Sequence, residues 1–292
     1  VWSREESIVA HHKRHPFRIS CRWGATRAGK ITAVEAELLA DGGAYASTSA
    51  EVTKVAALFA TGVYEVPNLA VAGQVVYTNN VPSGAFRGFG APQAQFASEV
   101  MVTRLAHAIG MDPVEFRRRN IYREGSIEPT RQPLPAGVSA LPVLERCAEE
   151  TAQRLGKQRP SRPWLKRGVG IAAGIKNLGY SFGFPEQSTA SVELVGRGEP
   201  EGAVVRVGAA DVGQGTHLIL RQIASEVLHL PVDRIQMVTD DSAEAPNAGS
   251  ASASRLTLMA GRAVHDAAAE ALRLYQTSDD ERTEATVQFR PN

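Results

Sequence analysis

Asn79-Asn-Val-Pro-Ser-Gly-Ala-Phe-Arg-Gly-Phe-Gly-Ala-Pro-Gln93 stands between a strand-like run and a long amphipathic helix, and its reading decides how the rest of the chain is organised. It is rich in glycine yet carries Phe86, Arg87 and Phe89, side chains that a mere connection does not need. Gly84, Gly88 and Gly90 allow positive φ or a close approach of backbone to a ligand, while Arg87 offers a planar, permanently charged donor fork suited to an oxyanion or phosphate. Pro92 fits the first turn of a helix, so the loop delivers free amides at a helix N-terminus, where anions are favoured. An ordinary glycine-rich loop before a helix satisfies the same spacing, and this motif alone does not choose between the two.

Residues 69–77, just before the stretch, are apolar and β-branched enough for a buried strand. After it, Phe96, Val100, Leu105 and Ile109 recur at helical spacing until Gly110, which is placed to end the helix. Asp112 caps a further short helix with Pro113 at its first position, and Arg117, Arg118 and Arg119 read as its polar end. Towards the N-terminus, residues 18–25 and 31–39 read as two strands joined by a turn at Ala28-Gly29-Lys30, followed by a short helix over 52–59. His11, His12 and His15 precede this hairpin. No carboxylate or cysteine joins them at ligand spacing, so they read as a solvated basic segment.

Prolines and charges accumulate over residues 124–163 around one modest helical run at 141–155, which makes this the expected linker between a first domain (1–123) and a second (164–292). The second half opens on an apolar strand at 167–175 and an aromatic loop with Tyr180, Phe182 and Phe184. Strands at 191–195 and 203–208 flank a turn over 196–202. Asp211-Val-Gly-Gln-Gly-Thr216 then leads into a helix with apolar positions Leu220, Ile223, Ala224, Val227 and Leu228. A strand, a glycine turn and a helix present amides to an anion, although Gly213 and Gly215 equally serve to shape a tight turn. A strand at 235–239 and Ser250-Ala-Ser-Ala-Ser254 precede a helix from Arg255 to about Tyr275, where the serines either cap the helix or hold a phosphate or pterin. The tail from Thr277 is polar and shows no clear pattern.

A chain of 292 residues, 43% hydrophobic and 22% charged, is long enough for two cored domains. Its net charge of +1 gives no electrostatic case for nucleic acid. Cys21 and Cys147 are far apart, fit a reducing compartment such as the cytoplasm, and cannot by themselves hold an iron-sulfur cluster. No apolar run is long enough to span a bilayer, and no secretory signal is visible. Beginning at Val1 inside structured sequence, the chain is expected to be a piece of a longer or processed protein.

Three separated motifs, Ala85-Phe-Arg-Gly-Phe-Gly-Ala-Pro-Gln93, Val212-Gly-Gln-Gly215 and the segment from Pro246-Asn247 to Gly261, occur in the order found in the xanthine dehydrogenase and aldehyde oxidase family of molybdenum hydroxylases, which the sequence therefore resembles. Arg14-His-Pro16, Asp41-Gly-Gly-Ala-Tyr45 and residues 110–120 resemble it as well, so the likeness runs along nearly the whole chain. The resemblance implies an α+β fold: two mixed α/β subdomains, each part of a molybdopterin-binding domain. It also implies a molybdenum–molybdopterin cofactor, with the cytosine dinucleotide form among the options, and iron-sulfur and FAD centres on other domains or subunits of a hetero-oligomer. Arg87 and the amides around it resemble the loop beside the metal's oxo face, and Phe89 and Phe182 resemble the two aromatic residues that meet the substrate ring. Gln214, between Gly213 and Gly215, resembles the glutamine that hydrogen-bonds at the cofactor. Ala253 resembles the alanine lying against the metal, flanked by Ser252 and Ser254 as contacts to the pterin tail. Arg87 and Ala253 are thus expected close to the molybdenum. A dianionic phosphate and an electron-rich metal centre need donors, and aromatic walls orient a flat heterocycle.

The chemistry implied is hydroxylation of an electron-poor carbon with oxygen from water, a glutamate acting as base and two electrons leaving through iron-sulfur and flavin centres. The family's N-terminal glycine-rich loop is expected before Val1 and its Gly-Glu base after Asn292. Neither Glu186 nor Glu244 stands in such a motif, so no catalytic base is assigned within the chain. In purine oxidisers an arginine precedes the Ala-Leu-Phe that resembles Ala57-Leu-Phe59, whereas this chain has Ala56 there. Gly183 is likewise smaller than the hydroxyl residue of xanthine oxidisers, so Ala56 and Gly183 are expected to shape the pocket for a flat aromatic, heteroaromatic or aldehyde substrate other than xanthine. The carbon monoxide branch fits no better, because Cys21 and Cys147 lie outside the three motifs. Two other readings remain open: a catalytically inactive remnant or assembly module of the same fold, and a nucleotide- or phosphate-binding protein using the same glycine turns.

Overall fold

A computed structural model describes residues 2–156, 162, 164–180, 184 and 186–291. The chain divides into two compact units, Val1–Lys176 and Asn177–Asn292. Both mix helices with a small mixed sheet, as expected of an α+β chain.

In the first unit a short helix, α1 (Arg4–Ala10), precedes the antiparallel hairpin β1 (Phe17–Ala25) and β2 (Ile31–Gly43), closed by Gly29 at φ 80°. Val34, Ala36, Leu38 and Ala40 alternate inward on β2 while Ala33, Glu35, Glu37 and Leu39 face out, which is the period of a half-buried strand. Helix α2 (Ser49–Leu58) crosses over to β3 (Asn68–Tyr77), which runs parallel to β2 and forms the sheet edge. The expectation of a buried strand here is corrected: β3 is mostly exposed, with Tyr77 71% accessible, because an edge strand has a neighbour on one side alone.

Helix α3 (Ala91–Ala108) follows directly, then α4 (Pro113–Asn120) and α5 (Ala140–Gly156). The inward face of α3 is Ala91, Ala94, Ser98, Glu99, Val102 and Ala106, whereas Phe96 is 74% and Val100 41% exposed. Small residues let α3 approach α2 and β1, so of the apolar residues read as its core face Leu105 and Ile109 pack on the core while Phe96 and Val100 point elsewhere. Asp112 caps α4 through Oδ1, which accepts from the amides of Val114 and Glu115 at 2.9 and 3.0 Å. Gly110, at φ 69°, follows the end of α3.

Arg117 is not a polar helix end. Its side chain is fully buried, with Phe116 and Asn120 on the same face of α4. Nε and Nη2 donate to Glu99 Oε2 at 3.1 and 2.7 Å, Nη2 also to Thr103 Oγ1, and Nη1 to the carbonyl of Pro113. The Tyr64 hydroxyl donates to the other Glu99 oxygen. Burial and the Glu99 charge push that phenol well above its ordinary value, so it stays a donor. Helical periodicity could not show this, since the countercharge lies 18 residues upstream on another helix. Asn120 ties the hairpin to α4: its Oδ1 accepts from the Ile31 amide and its Nδ2 donates to the carbonyls of Gly29 and Phe116.

Much of the stretch expected as a linker joins the first unit. Leu144 of α5 is buried with Phe116, Ile121 and Tyr122, and Leu134, Val138 and Leu141 pack on the same cluster. Residues 167–175, expected as a strand, form none. Ile171, Ala173 and Ile175 still alternate toward that core, and the Gln95 side chain pairs with both the N–H and the carbonyl of Ile175, at 2.9 and 2.6 Å. The pattern fixes a buried face but supplies no strand to complete a ladder.

The second unit is a four-stranded sheet in the order β6-β5-β4-β7, built from β4 (Ser188–Arg197), β5 (Glu199–Arg206), β6 (Ile235–Val238) and β7 (Arg282–Phe289). The turn between β4 and β5 is tighter than expected, at Gly198 with φ 77°. Helices α6 (Thr216–Leu228) and α7 (Leu256–Thr277) pack together and supply Leu220, Ala224, Leu228, Ala260, Ala263, Val264, Ala267 and Ala271 to one core with Val192, Leu194 and Val205. The polar tail contains β7, whose partner is β4 and whose Ala285 is buried; half-exposed edge strands carry too few apolar residues to stand out. Among the described residues no helix is long and apolar enough to cross a membrane.

Removing one partner of a buried ion pair strands the other charge, which costs about 3 to 5 kcal/mol. Glu99→Ala is expected to destabilise the first unit by that amount. Trp2, Trp23 and Trp164 are the three tryptophans of the chain, so urea unfolding followed by tryptophan fluorescence reports this unit alone. An unchanged unfolding midpoint would show that the pair contributes no net stability.

Candidate functional site

The loop before α3 is held in a conformation that side chains resist. Gly88, Phe89 and Gly90 have φ of 91°, 51° and 93° in succession. A Cβ on Gly90 would meet the Val52 carbonyl oxygen at 2.2 Å, and one on Gly88 would meet Pro92 at 2.3 Å, so both positions need glycine. For Phe89, without that freedom, the left-handed backbone costs of order 1 to 2 kcal/mol. Two short turns close the loop, Phe89 N–H to Phe86 O at 2.8 Å and Ala91 N–H to Gly88 O at 3.1 Å. The result leaves the side chains of Phe86 and Arg87 exposed and that of Phe89 half-buried, with Pro92 in the first turn of α3.

Ala56, expected beside the pocket, packs beneath the loop. It is fully buried on α2, clustered with Leu38 and Ala94, and its backbone nitrogen and Cβ lie directly against Gly90. His15 is no part of a solvated segment: it is 2% exposed, its Nε2 lies 2.8 Å from Ser49 Oγ, and burial holds its pKa below the ordinary value.

In the second unit the turn between Ala210 and α6 is organised by its own acid. Asp211 Oδ1 accepts from the amides of Gly213 and Gly215 at 2.8 and 3.2 Å, and Oδ2 from that of His217 at 3.3 Å. The glycine amides expected to face an anionic ligand are therefore already used, because the anion is supplied from within the loop. These backbone bonds, Gly213's first, hold the Asp211 carboxyl below its ordinary value of 3.8. The Gln214 carboxamide also turns inward, accepting from the Val212 amide and donating to Ala210 O and Thr216 Oγ1.

Before α7, Ala253 and Ser254 stand side by side at φ 50° and 54°, two non-glycine residues in the left-handed region. What holds them is Arg255, 2% exposed, whose guanidinium donates to Glu186 Oε2, to the carbonyls of Ala248 and Ser250, and to Gln187 O. Glu186 Oε1 in turn accepts from the Tyr180 amide, and the Gly179 amide donates to Ala253 O at 2.9 Å. Tyr180 and Ser252 share a hydroxyl hydrogen bond, and Ser252 Oγ donates to Ser250 Oγ. Ser252 and Ala253 are half-buried and Ser254 is exposed. Phe182 and Gly183 lie outside the described residues.

Residues 1–121 and 143–290 each match a family model described as a molybdopterin cofactor-binding domain. The chain belongs to the molybdopterin-dependent xanthine dehydrogenase and aldehyde oxidase family. It is 33% identical over 262 residues to a probable xanthine dehydrogenase subunit from Bacillus subtilis, covering 90% of this chain and 34% of that protein. It is 42% identical over 159 residues to the nicotinate dehydrogenase large molybdopterin subunit of Eubacterium barkeri, covering 54% and 37% respectively. Among solved structures, the aldehyde oxidoreductase of Desulfovibrio gigas superposes with a TM-score of 0.81 at 30% identity, over 95% of this chain and 32% of that one. The chain thus spans about a third of the length of these relatives.

Within this family framework, three side chains organise the loops through contacts that the motifs themselves do not show. Asp211 sits at the head of a glycine turn, where an acid commonly caps its own loop, so its role was within reach of the sequence. Arg255 follows the serine cluster and reads as an ordinary helix start until Glu186, 69 residues away, is seen beside it. Arg14 lies 73 residues before Arg87, to whose carbonyl it donates.

Because the Asp211 pKa is depressed on folding, its contribution to the turn is complete above the ordinary value of 3.8 and is lost as pH falls through the lower folded-state value. Amide exchange at Gly213, Gly215 and His217 is therefore expected to quicken at that acid limb. In Asp211→Ala, which removes both acceptor oxygens, these amides are expected to exchange fast at every pH. Equal protection in the variant and the parent would show that the carboxylate does not hold the turn.

Proposed function

We propose that this chain is the central, cofactor-holding portion of the large subunit of a molybdenum hydroxylase. The observation that carries the reading is the donor set of the loops. Around Arg87 in the first unit and around Ser252–Ser254 in the second, strained main chain presents guanidinium, amide and hydroxyl groups, and in the second unit Asp211 is engaged by its own amides and Glu186 by Arg255. Beside the Arg87 loop, the donor Arg14 Nη1 is buried and finds no partner among the described residues. Such a set fits a pterin phosphate and an electron-rich metal centre, and would repel neither.

When bound, the molybdenum cofactor would supply the two-electron oxidation and the water-derived oxygen. The residues of this chain hold and orient. Arg87, fixed by its neighbours in an exposed turn, offers a charged donor fork where negative charge gathers, and Phe89 supplies an aromatic wall for a flat ring. Gln214 has to exchange hydrogen bonds within its own turn for one to the cofactor, so it adds less to binding than Arg87. Ser252 and Ser254 offer hydroxyls to the pterin tail, and the backbone at Ala253 brings a small side chain to the metal. No glutamate here is assigned as base: Glu186 is committed to Arg255 and the Tyr180 amide, and Glu244 is an exposed partner of Arg206.

The substrate we assign is a flat heteroaromatic compound or an aldehyde, not xanthine. Ala56 places no guanidinium beside the loop, and the 42% identity to a nicotinate dehydrogenase subunit supports a nitrogen heterocycle. Electrons are assigned to iron-sulfur and FAD centres on further domains or subunits of a cytoplasmic hetero-oligomer.

Hydrogen bonds to charged groups are worth about 1.5 to 3 kcal/mol, a factor of roughly ten to a hundred in affinity. In the complete subunit, Arg87→Ala is expected to lower molybdenum content by that factor and Gln214→Ala by less, with melting temperature held close to the parent. Metal analysis of the purified protein checks this, and equal molybdenum in all three would contradict the assignment. A substrate panel on the complete enzyme is expected to rank nicotinate-like rings and aromatic aldehydes above xanthine in kcat/KM. Xanthine ranked first would overturn the substrate class.

A further inference from the structure

Residues 13–15 run beside the Arg87 loop and each contacts it, while Pro16 ties the segment to β2. The Lys13 amide donates to Pro82 O and the Gly84 amide to Lys13 O, both at 3.0 Å, a parallel bridge between the two segments. Arg14 Nη2 donates to the carbonyl of Arg87 itself at 2.6 Å, and the Arg14 guanidinium lies over the Phe86 ring with its carbon 4.5 Å from the ring centre. Gln93 Nε2 donates to His15 O at 3.2 Å, and the Asp41 amide to Pro16 O. His15 anchors this strap from below through Ser49 of α2.

We infer that Arg14 is the positioning residue of this site: by stacking on Phe86 and donating to the Arg87 carbonyl it sets the direction in which the Arg87 guanidinium and the amides behind it face the cofactor. The inference rests on the molybdenum reading for what the loop faces, but not for how the loop is held. The planar guanidinium is the group that can do both tasks at once, since it stacks on a ring face while donating in its own plane. A lysine ammonium has the charge without the plane. One arm of the fork, Nη1, is buried and has no acceptor among the described residues. A buried donor in that state is costly and is retained where something outside the chain completes it. The loop cannot hold its shape by local bonds alone, because Phe89 is in a left-handed conformation that the turn Phe89 N–H to Phe86 O must keep against strain.

The test uses the complete enzyme with its partner subunits, as the parent and as Arg14→Met and Arg14→Lys. Methionine keeps an unbranched apolar chain against Phe86 and removes every donor. Hydrogen exchange read by mass spectrometry is expected to quicken roughly tenfold across residues 86–91 in Arg14→Met, while peptides over β1 and β2 exchange as in the parent. Per molybdenum bound, kcat is expected to fall about tenfold or more with KM changed less than about twofold, the mark of a donor aimed at charge that develops in the reaction. Arg14→Lys, which keeps the charge without the plane, is expected to recover little of either the loop protection or kcat, and recovery of kcat without the loop would overturn the positioning role. Parent-like exchange across 86–91 in Arg14→Met would overturn the inference, and so would a loss of protection spread over the whole first unit, which would make Arg14 merely structural. A parent without molybdenum whose loop still loosens in Arg14→Met would sink the cofactor reading and leave the role of Arg14 in holding the loop standing.

Discussion

A guanidinium taken out of water has to be answered by charge and by acceptors, and each unit of this chain is arranged around one such group. Arg117 is fully buried in the first unit and Arg255 nearly so in the second. Each meets one glutamate and directs its other N–H groups to nearby oxygens. Such pairs add little net stability over apolar residues of the same shape, but a half-made pair is severely penalised, so they select one register among many. Glu99 lies in the third turn of α3, whose first turn ends the Arg87 loop, so the pair with Arg117 fixes the helix that the loop runs into. Arg255 acts more directly. It stands next to Ser254 and gathers residues 186–187 and 248–250 around the strained pair at 253–254.

Strain of this kind persists when the surroundings over-determine it. The two loops meet the requirement differently. At 88–90 two of three left-handed residues are glycines, and contact with α2 and Pro92 forbids anything larger. At 253–254 neither residue is glycine, and the conformation is held by the buried ion pair of the adjacent residue and by the Gly179 amide on Ala253 O. The first solution is visible as a glycine pattern and the second is not, which is why the serine cluster reads from sequence as a simple cap.

The elements that periodicity or turn chemistry specifies locally were legible: the β1–β2 hairpin around Gly29, the Asp112 cap, the inward stripe of α6 and the helix after the serines. Relations between distant residues were not. Arg117 reads as polar surface until Glu99 is placed beside it, and His15 as solvated until Ser49 covers it. Burial of β3 was overestimated because apolar composition does not say whether a strand is central or at an edge, and residues 167–175 show that alternation can mark a buried face without a ladder. The family motifs pointed to the loops and include Arg14 and Arg255, yet the pairings with distant Arg87 and Glu186, through which these two shape the loops, are not written in them.

Charge explains why the glycine turns, alike in sequence, differ in what they can bind. The 211–216 turn contains its own anion, so its amides are neutralised before any ligand arrives and a second negative group would meet repulsion from Asp211. A ligand can reach that turn through the Gln214 carboxamide, which is neutral and can trade one set of bonds for another. The 84–90 loop has no acid between Ser83 and Gln93 and carries a permanent cation at its apex, so negative charge is drawn there instead. The same glycine-rich chemistry therefore gives two turns of different electrostatics, one neutralised by its own acid and the other carrying a cation with no acid in the loop, and a single acidic residue makes the difference.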